Sequence, residues 1–290
     1  MNHKIVLFTF LVSIPLAFWL AWSPTAQPHD CHSLRSGSWS DVTIWGDCDG
    51  RYPGQSANDR ATIHQGHTVT LNNNPPKAVY RLAIEPGGVF DLNGYSLAFS
   101  GDAGAPGLAN RGQFHHGGGT LLFVAQFGTA VHQVTGPVKL GKVAIEGVGV
   151  RFQADVLIAE ELAILFGGFV EQAPSYGSQA TLIYRTSGPY TAGAEWAANA
   201  SSGPGVPHHV HVEWHNGNSS LALGAANRTI TGDLTLDLAA FTAPPAGYAL
   251  TIGGQIVQNW GLFDHNQSVV TSGGFTPERI SGLNGHEQLP

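Results

Sequence analysis

The body of the chain alternates short aliphatic runs with turns rich in glycine, asparagine and threonine, and the alternation recurs at a fixed interval. ATIHQGHTVTLNNN, beginning at Ala61, lies over LAIEPGGVFDLNGY, beginning at Leu82. Ile63 falls on Ile84, Gly66 on Gly87, Leu71 on Leu92 and Asn72 on Asn93, each pair 21 residues apart. A period near 20 residues is what one turn of a parallel β-solenoid needs, because two or three short strands and their bends must return the chain to its starting side. Each turn then buries its inward aliphatic residues against the next.

Later segments keep the style with looser spacing: VKLGKVAIEGVGVRF, LAILFGGFVEQ, ATLIYRTSG, HVHVEWHNGNSSLALG, NRTITGDLTLDL and YALTIGGQIVQNWGLF. Ile230, Leu234, Leu236 and Leu238 alternate with Thr and Asp, as a strand with one buried face requires. Helical periodicity is almost absent. VLIAEELAILF (156–166) has some helix propensity, but it fits consecutive strands bent at Glu160 and Glu161, and strands are the expectation. The pattern divides the chain into a leader over 1–26, first turns over 27–101, a Gly-rich insertion over 102–119, further solenoid over 120–264 and a loose tail or cap over 265–290. A second loop is expected over 192–207, where small residues and Pro/Gly replace the alternation.

Composition agrees with many short strands joined by tight turns. Of 290 residues, 42% are apolar and only 11% charged, against about 25% charged in an ordinary soluble domain, while 38 glycines and 17 prolines supply turns. The net charge of -7 is spread thinly and offers no basic face, so nucleic acid is not an expected partner.

Ahead of the repeats, Lys4 precedes an apolar run over residues 5–22. This reads as an export signal, either cleaved after about Ala26 or retained as a membrane anchor. Export places Cys31 and Cys48 in an oxidising compartment. Two cysteines around a modest loop are read there as a disulfide, stabilising by roughly 3 kcal/mol.

SGSWSDVTIWG, the following Cys, the Pro53-Gly54 turn, NDRATIHQGHTVTL and LAIEPGGVFDLNGYSLAFSG together resemble the N-terminal module of many bacterial secreted β-helix proteins. That module is similar to the extracellular eight-glycine domain of animal surface proteins. The pattern is carried by Trp39, Trp45, Pro53, Gly54, Asp59, Gly66, Gly87, Leu92 and Gly94 and covers residues 31–101. YTAGAEWAANASSGPGVPHHVHVEW and RTITGDLTLDL resemble, more loosely, a segment of bacterial surface solenoids. The resemblance implies an exported, single-stranded, right-handed parallel β-helix with an N-terminal disulfide-linked cap holding Trp39 and Trp45. Some relatives are linked to glycan binding or breakdown.

Candidate chemistry is sparse. In HHVHVEWH the strand period puts Val210, Val212 and Trp214 on one face and His209, His211, Glu213 and His215 on the other, so that His209 and His211 with Glu213 could hold zinc or copper. A polar ladder that happens to be His-rich is the plainer expectation. His115 and His116, in the Gly-rich insertion, could approach that ladder. Trp196 and Trp214 could present flat faces to sugar rings. Carboxylates that might cleave a glycan are scattered, with Asp233 and Asp237 best placed to share a face. GxSxG, Walker A, HExxH and EF-hand patterns are missing from the sequence. The expectation is a non-enzymatic structural or adhesive solenoid outside the cell, associating head to tail with itself or binding extracellular glycan, with a glycan-binding module and a polysaccharide-active enzyme as alternatives. Membrane contact would come only through an uncleaved N-terminal segment.

Overall fold

The computed structural model describes residues 29–101, 106–125, 131–153, 155–215 and 219–276. The expected export signal over 1–26 lies outside them. Among the described residues no helix is long and apolar enough to cross a membrane.

The protein is an all-β parallel solenoid of about nine turns. Its strands stack into four sheets of eight, four, eleven and four strands, and the only helical element among the described residues is the single 3-10 turn Val42–Ile44. Neighbours in a sheet come from successive turns. Arg60–Ile63 pairs in parallel with Arg81–Ile84, placing Ala61 on Leu82 and Ile63 on Ile84, the register expected from the 21-residue repeat. Thr68–Thr70 pairs with Val89–Asp91 at the same offset.

Period-two alternation then decides what is inside. Ile63, Val69, Leu71, Leu82, Ile84, Phe90 and Leu92 are all buried, while Thr62, Thr70, Ala83 and Asp91 point outward and are half-buried. Inward rings stack from turn to turn. Phe99 and Phe123 lie 5.2 Å apart and Phe241 and Phe263 5.4 Å, each pair close to parallel. Val156–Ile164 is a strand, as expected for VLIAEELAILF, with a register shift between Ile158 and Glu161, after which Glu161 pairs with Lys142.

The first rung is closed by a different device. Trp45–Gly46 runs antiparallel along Asp30–Ser33 and covers the outer edge of the first sheet. The Cys31–Cys48 disulfide ties the cap down. Trp39 and Trp45 are buried 5.0 Å apart, their indole N–H groups donating to the carbonyls of Pro53 and Trp39. Asp59 is buried as well, accepting from the backbone N–H groups of Gly54, Ser56 and His29, so a carboxylate folds the intervening loop around itself.

Two boundaries and one core position move. The Gly-rich insertion over 102–119 is largely a solenoid turn, since Pro106–Asn110 and Gln113–His115 continue the first and second sheets. Its glycines are demanded by close packing: a Cβ on Gly112 would strike the carbonyls of Gly88 and Glu85. The tail expected from 265 holds a turn over 265–268 and then a strand, Val269–Thr276, which pairs with Ala249–Asn259. Leu238 is not a core residue: it leaves the strand at φ +55 and is 60% exposed, whereas Ile230, Leu234 and Leu236 are buried as expected.

At the far end the last turn, Leu262–Asp264 and Val269–Thr276, has a neighbour on one side only among the described residues. Phe263 and Val270, inward by register, are half-buried, and Leu262 and Val269 are exposed. Among the described residues, therefore, one end of the solenoid is capped and the other has no covering strand.

Candidate functional site

The His-rich strand His209–Glu213 lies in the third sheet between Thr181–Tyr184 and Leu234–Asp237. Val210 and Val212 enter the core; His209, His211 and Glu213 face outward. The outward groups are joined into a ladder. His211 Nδ1 lies 3.1 Å from Glu213 Oε1, and its Nε2 bonds to Asp237 Oδ2 on the next turn. Glu213 in turn accepts from Arg185 Nε one turn back, and Asp237 accepts from the Asn259 amide at 2.7 Å one turn forward. The Glu213 hydrogen bond holds Arg185 above its ordinary pKa. Four successive turns are thus linked from Arg185 to Asn259. His209 belongs to a separate contact, accepting at Nδ1 from the Asp233 backbone N–H at 3.0 Å.

Each strand of this face ends at a corner leading to the fourth sheet. The backbone N–H of Trp214 donates to Asp237 and that of Leu238 to Asn259, so Trp214, Leu238 and Trp260 occupy one corner position on three successive turns. All three are prominent: 52%, 60% and 65% exposed. Leu238 and Trp260 take positive φ there, a conformation that turns the chain out of the sheet and the side chain away from the core. Leu262, at the start of the neighbouring strand, adds a fourth exposed apolar group.

A buried polar cluster lies beneath the loop over 192–208, where the fourth sheet takes over from the first. Glu195 is fully buried; its Oε1 accepts from the Tyr184 hydroxyl at 3.1 Å and the Gly193 backbone N–H at 2.7 Å. Its Oε2 has no hydrogen bond of normal geometry, the Tyr190 hydroxyl acting on the carboxyl least of its polar neighbours. Burial pushes the Glu195 carboxyl above its ordinary pKa and the Tyr184 phenol well above its own. Arg228 inserts close by, reaching the carbonyls of Gly193 and Ala192, and burial lowers its pKa. On the outer side of this loop is a cavity of about 330 Å³ lined by Ser175, Tyr176, Ser178, Ser202, His208 and Thr231, among others. Desolvation, then the neighbouring His209, lowers the His208 pKa.

The sequence-predicted residues are only partly brought together. His209, His211 and Glu213 share a face, but both nitrogens of His211 meet carboxylates and Glu213 is held by Arg185. His215 has left the strand and is exposed. Among the described residues no group of three His, Cys, Asp or Glu is arranged to hold a metal ion. His115 and His116 do not approach this ladder: His115 pairs with Asp91 in the second sheet, and His116 faces Glu160 at 3.3 Å, turns away from His211. Trp196 cannot stack on a sugar, because it is fully buried, donates to the Thr229 carbonyl at 2.9 Å and nails the loop to the core. Trp214 does not share the buried face of Val210 and Val212, because the strand ends at Glu213 and the chain turns there; it is exposed as the sugar reading required, and its companions Leu238 and Trp260 were missed. Their signal was positional: each is the first residue past an outward acid or amide, at corners that only a register could align. No family model, curated protein or solved structure matches the chain significantly.

Proposed function

We propose that the protein is a non-enzymatic structural or adhesive unit of the cell exterior, a rigid rod that presents a surface to what lies around it. The observation that supports this is the exposed corner of Trp214, Leu238 and Trp260, held on successive rungs of a buried, hydrogen-bonded stack. Large apolar groups aligned on a rigid element are poorly explained by solvation and well suited to contact. The disulfide-tied cap accords with an oxidising exterior. The test is retention: cells expressing the protein are treated with an impermeant biotin reagent, and beads coated with purified protein are offered to cells and extracellular matrix. Surface labelling with bead adhesion is expected; a protein found only in the cytoplasm, or beads that adhere no better than bare ones, would refute the proposal.

A second reading, polysaccharide cleavage, has one observation in its favour. Glu213 and Asp237 reach opposite nitrogens of the same imidazole, which places two carboxylates within the range that glycosidases use. Both are already hydrogen-bonded on an open face, so cleavage is the weaker reading. Release of reducing ends that stops in Asp237→Asn would reinstate it.

A further inference from the structure

We infer that the corner formed by Trp214, Leu238 and Trp260 is a binding strip for an extended β-linked polysaccharide lying along the solenoid axis. The inference rests on the adhesive reading above and names its ligand. Strands of neighbouring turns are about 4.8 Å apart, so Trp214 and Trp260, two turns apart, are separated by roughly 10 Å along the axis. That is close to the length of two linked pyranose rings in a fully extended chain. Every second ring would meet an indole, while the ring between would lie over the Leu238 side chain.

The apolar row does not stand alone. Immediately inward of it, on the same three turns, runs the polar row of Glu213, Asp237 and Asn259, with Arg185 one turn before. A pyranose chain has this division: apolar C–H faces above and below, hydroxyl groups around the rim. Indole faces offer large, rigid area to the first, and the carboxylates and amide accept from or donate to the second. An acyl chain or a purely apolar helix would find the acidic row costly to desolvate. A linear glycan keeps its hydroxyls hydrogen-bonded and carries no charge to be repelled. The strip is also preorganised, since Trp214 and Leu238 are each fixed by a backbone bond to the next turn and Trp260 by a bridge back to Asp237, so little conformational freedom is lost on binding.

The test uses purified protein with cellohexaose in solution and with insoluble β-1,4-glucan, and soluble starch as the α-linked control. Binding to the β-linked probes but not to starch is expected. Trp214→Ala and Trp260→Ala should each weaken it by about tenfold or more, the effect of removing one stacking ring, and the double variant should abolish it. Leu238→Trp should tighten it. All the altered side chains are at least half exposed, and unchanged thermal unfolding confirms the fold. Wild-type protein that binds no β-linked probe, or Trp variants that bind as wild type, would overturn the inference. Loss of self-association in the Trp variants without any glycan binding would overturn it too, and would reassign the corner to contact between copies. The two proposals fail separately: wild-type beads that adhere to cells while the protein binds no β-linked probe leave the adhesive reading intact and remove the strip, and glucan binding without adhesion does the reverse.

Discussion

The Tyr184 hydroxyl donates to Glu195 Oε1 across 3.1 Å at a point where neither side chain meets solvent. The same oxygen accepts from the Gly193 backbone, and Trp196 follows at once in the chain, so this carboxyl fixes the loop over 192–208 against the stack. Glu195→Ala would orphan the hydroxyl and the amide, and a cost of about 2 to 4 kcal/mol is expected in denaturant unfolding.

Burial raises the Glu195 pKa above its ordinary value of 4.5, so the folded protein holds this proton more tightly than the unfolded chain. Its contribution to stability is fully present below the unfolded pKa and is lost as pH rises through the folded one. Glu195→Gln keeps the acceptor and removes the titration. The difference in unfolding free energy between Gln variant and wild type should therefore grow in the variant's favour as pH rises above the ordinary carboxyl value of 4.5. A difference that stays flat over that range, measured by urea unfolding, would show that Glu195 does not carry it.

The ladder around His211 makes a separate prediction. In His211→Ala the carboxylates of Glu213 and Asp237 lose the ring between them, with only Arg185 and Asn259 remaining as partners. The groups are partly exposed, so screening limits the loss to about 1 kcal/mol. Asp237→Asn in the His211→Ala background should recover part of it, and a double-mutant cycle measures the coupling. A rise in melting temperature on adding zinc or copper, lost in His211→Ala, would instead establish the metal site that the sequence suggested.

The repeat from Ala61 to Tyr95 was legible because local and tertiary signals coincide there. A strand's alternation needs only neighbouring residues, and Ile63 and Ile84 share a rung because nothing is inserted between them. Farther on, offsets vary: Ser96 falls on Thr120, while Thr181 falls on His209 across the loop. Once the offset is variable, sequence no longer says which residues stack. That is why Asp237 as the partner of His211, and Trp260 as the companion of Trp214, were hidden. Trp196 misled for the opposite reason: its Gly- and Pro-rich surroundings read as a surface loop, and only the acceptor at Thr229 shows that it points inward.

The cap predicts a stability effect. The Cys31–Cys48 bond closes a loop with a sequence separation of 17, and removing it through Cys31→Ser with Cys48→Ser should cost about 3 kcal/mol. The strand Trp45–Gly46 holds the edge of Asp30–Ser33 with only two register pairs, so loosening the cap should also free that edge for pairing with another chain. Light scattering of the double variant should reveal growing aggregates while the wild type stays small. An unchanged melting temperature and scattering would contradict both statements.

The unequal ends decide what kind of self-association is available. Head-to-tail growth needs two open rungs, but the first rung is covered by an antiparallel strand and a disulfide. The last rung among the described residues exposes Leu262 and Val269 and leaves Phe263 and Val270 half-covered. Two copies that join their open ends bury each other's apolar rung, and the contact is used up, since such a self-complementary interface closes at a pair. Sedimentation at rising concentration should therefore show a species of two chains and no filaments. Leu262→Lys with Val269→Lys places charge on an exposed edge without touching the core, and should abolish the pair while leaving the melting temperature unchanged. Filaments in wild-type protein would mean that the capped end does accept a neighbour, and pairs that persist in the lysine variant would place the contact elsewhere on the rod.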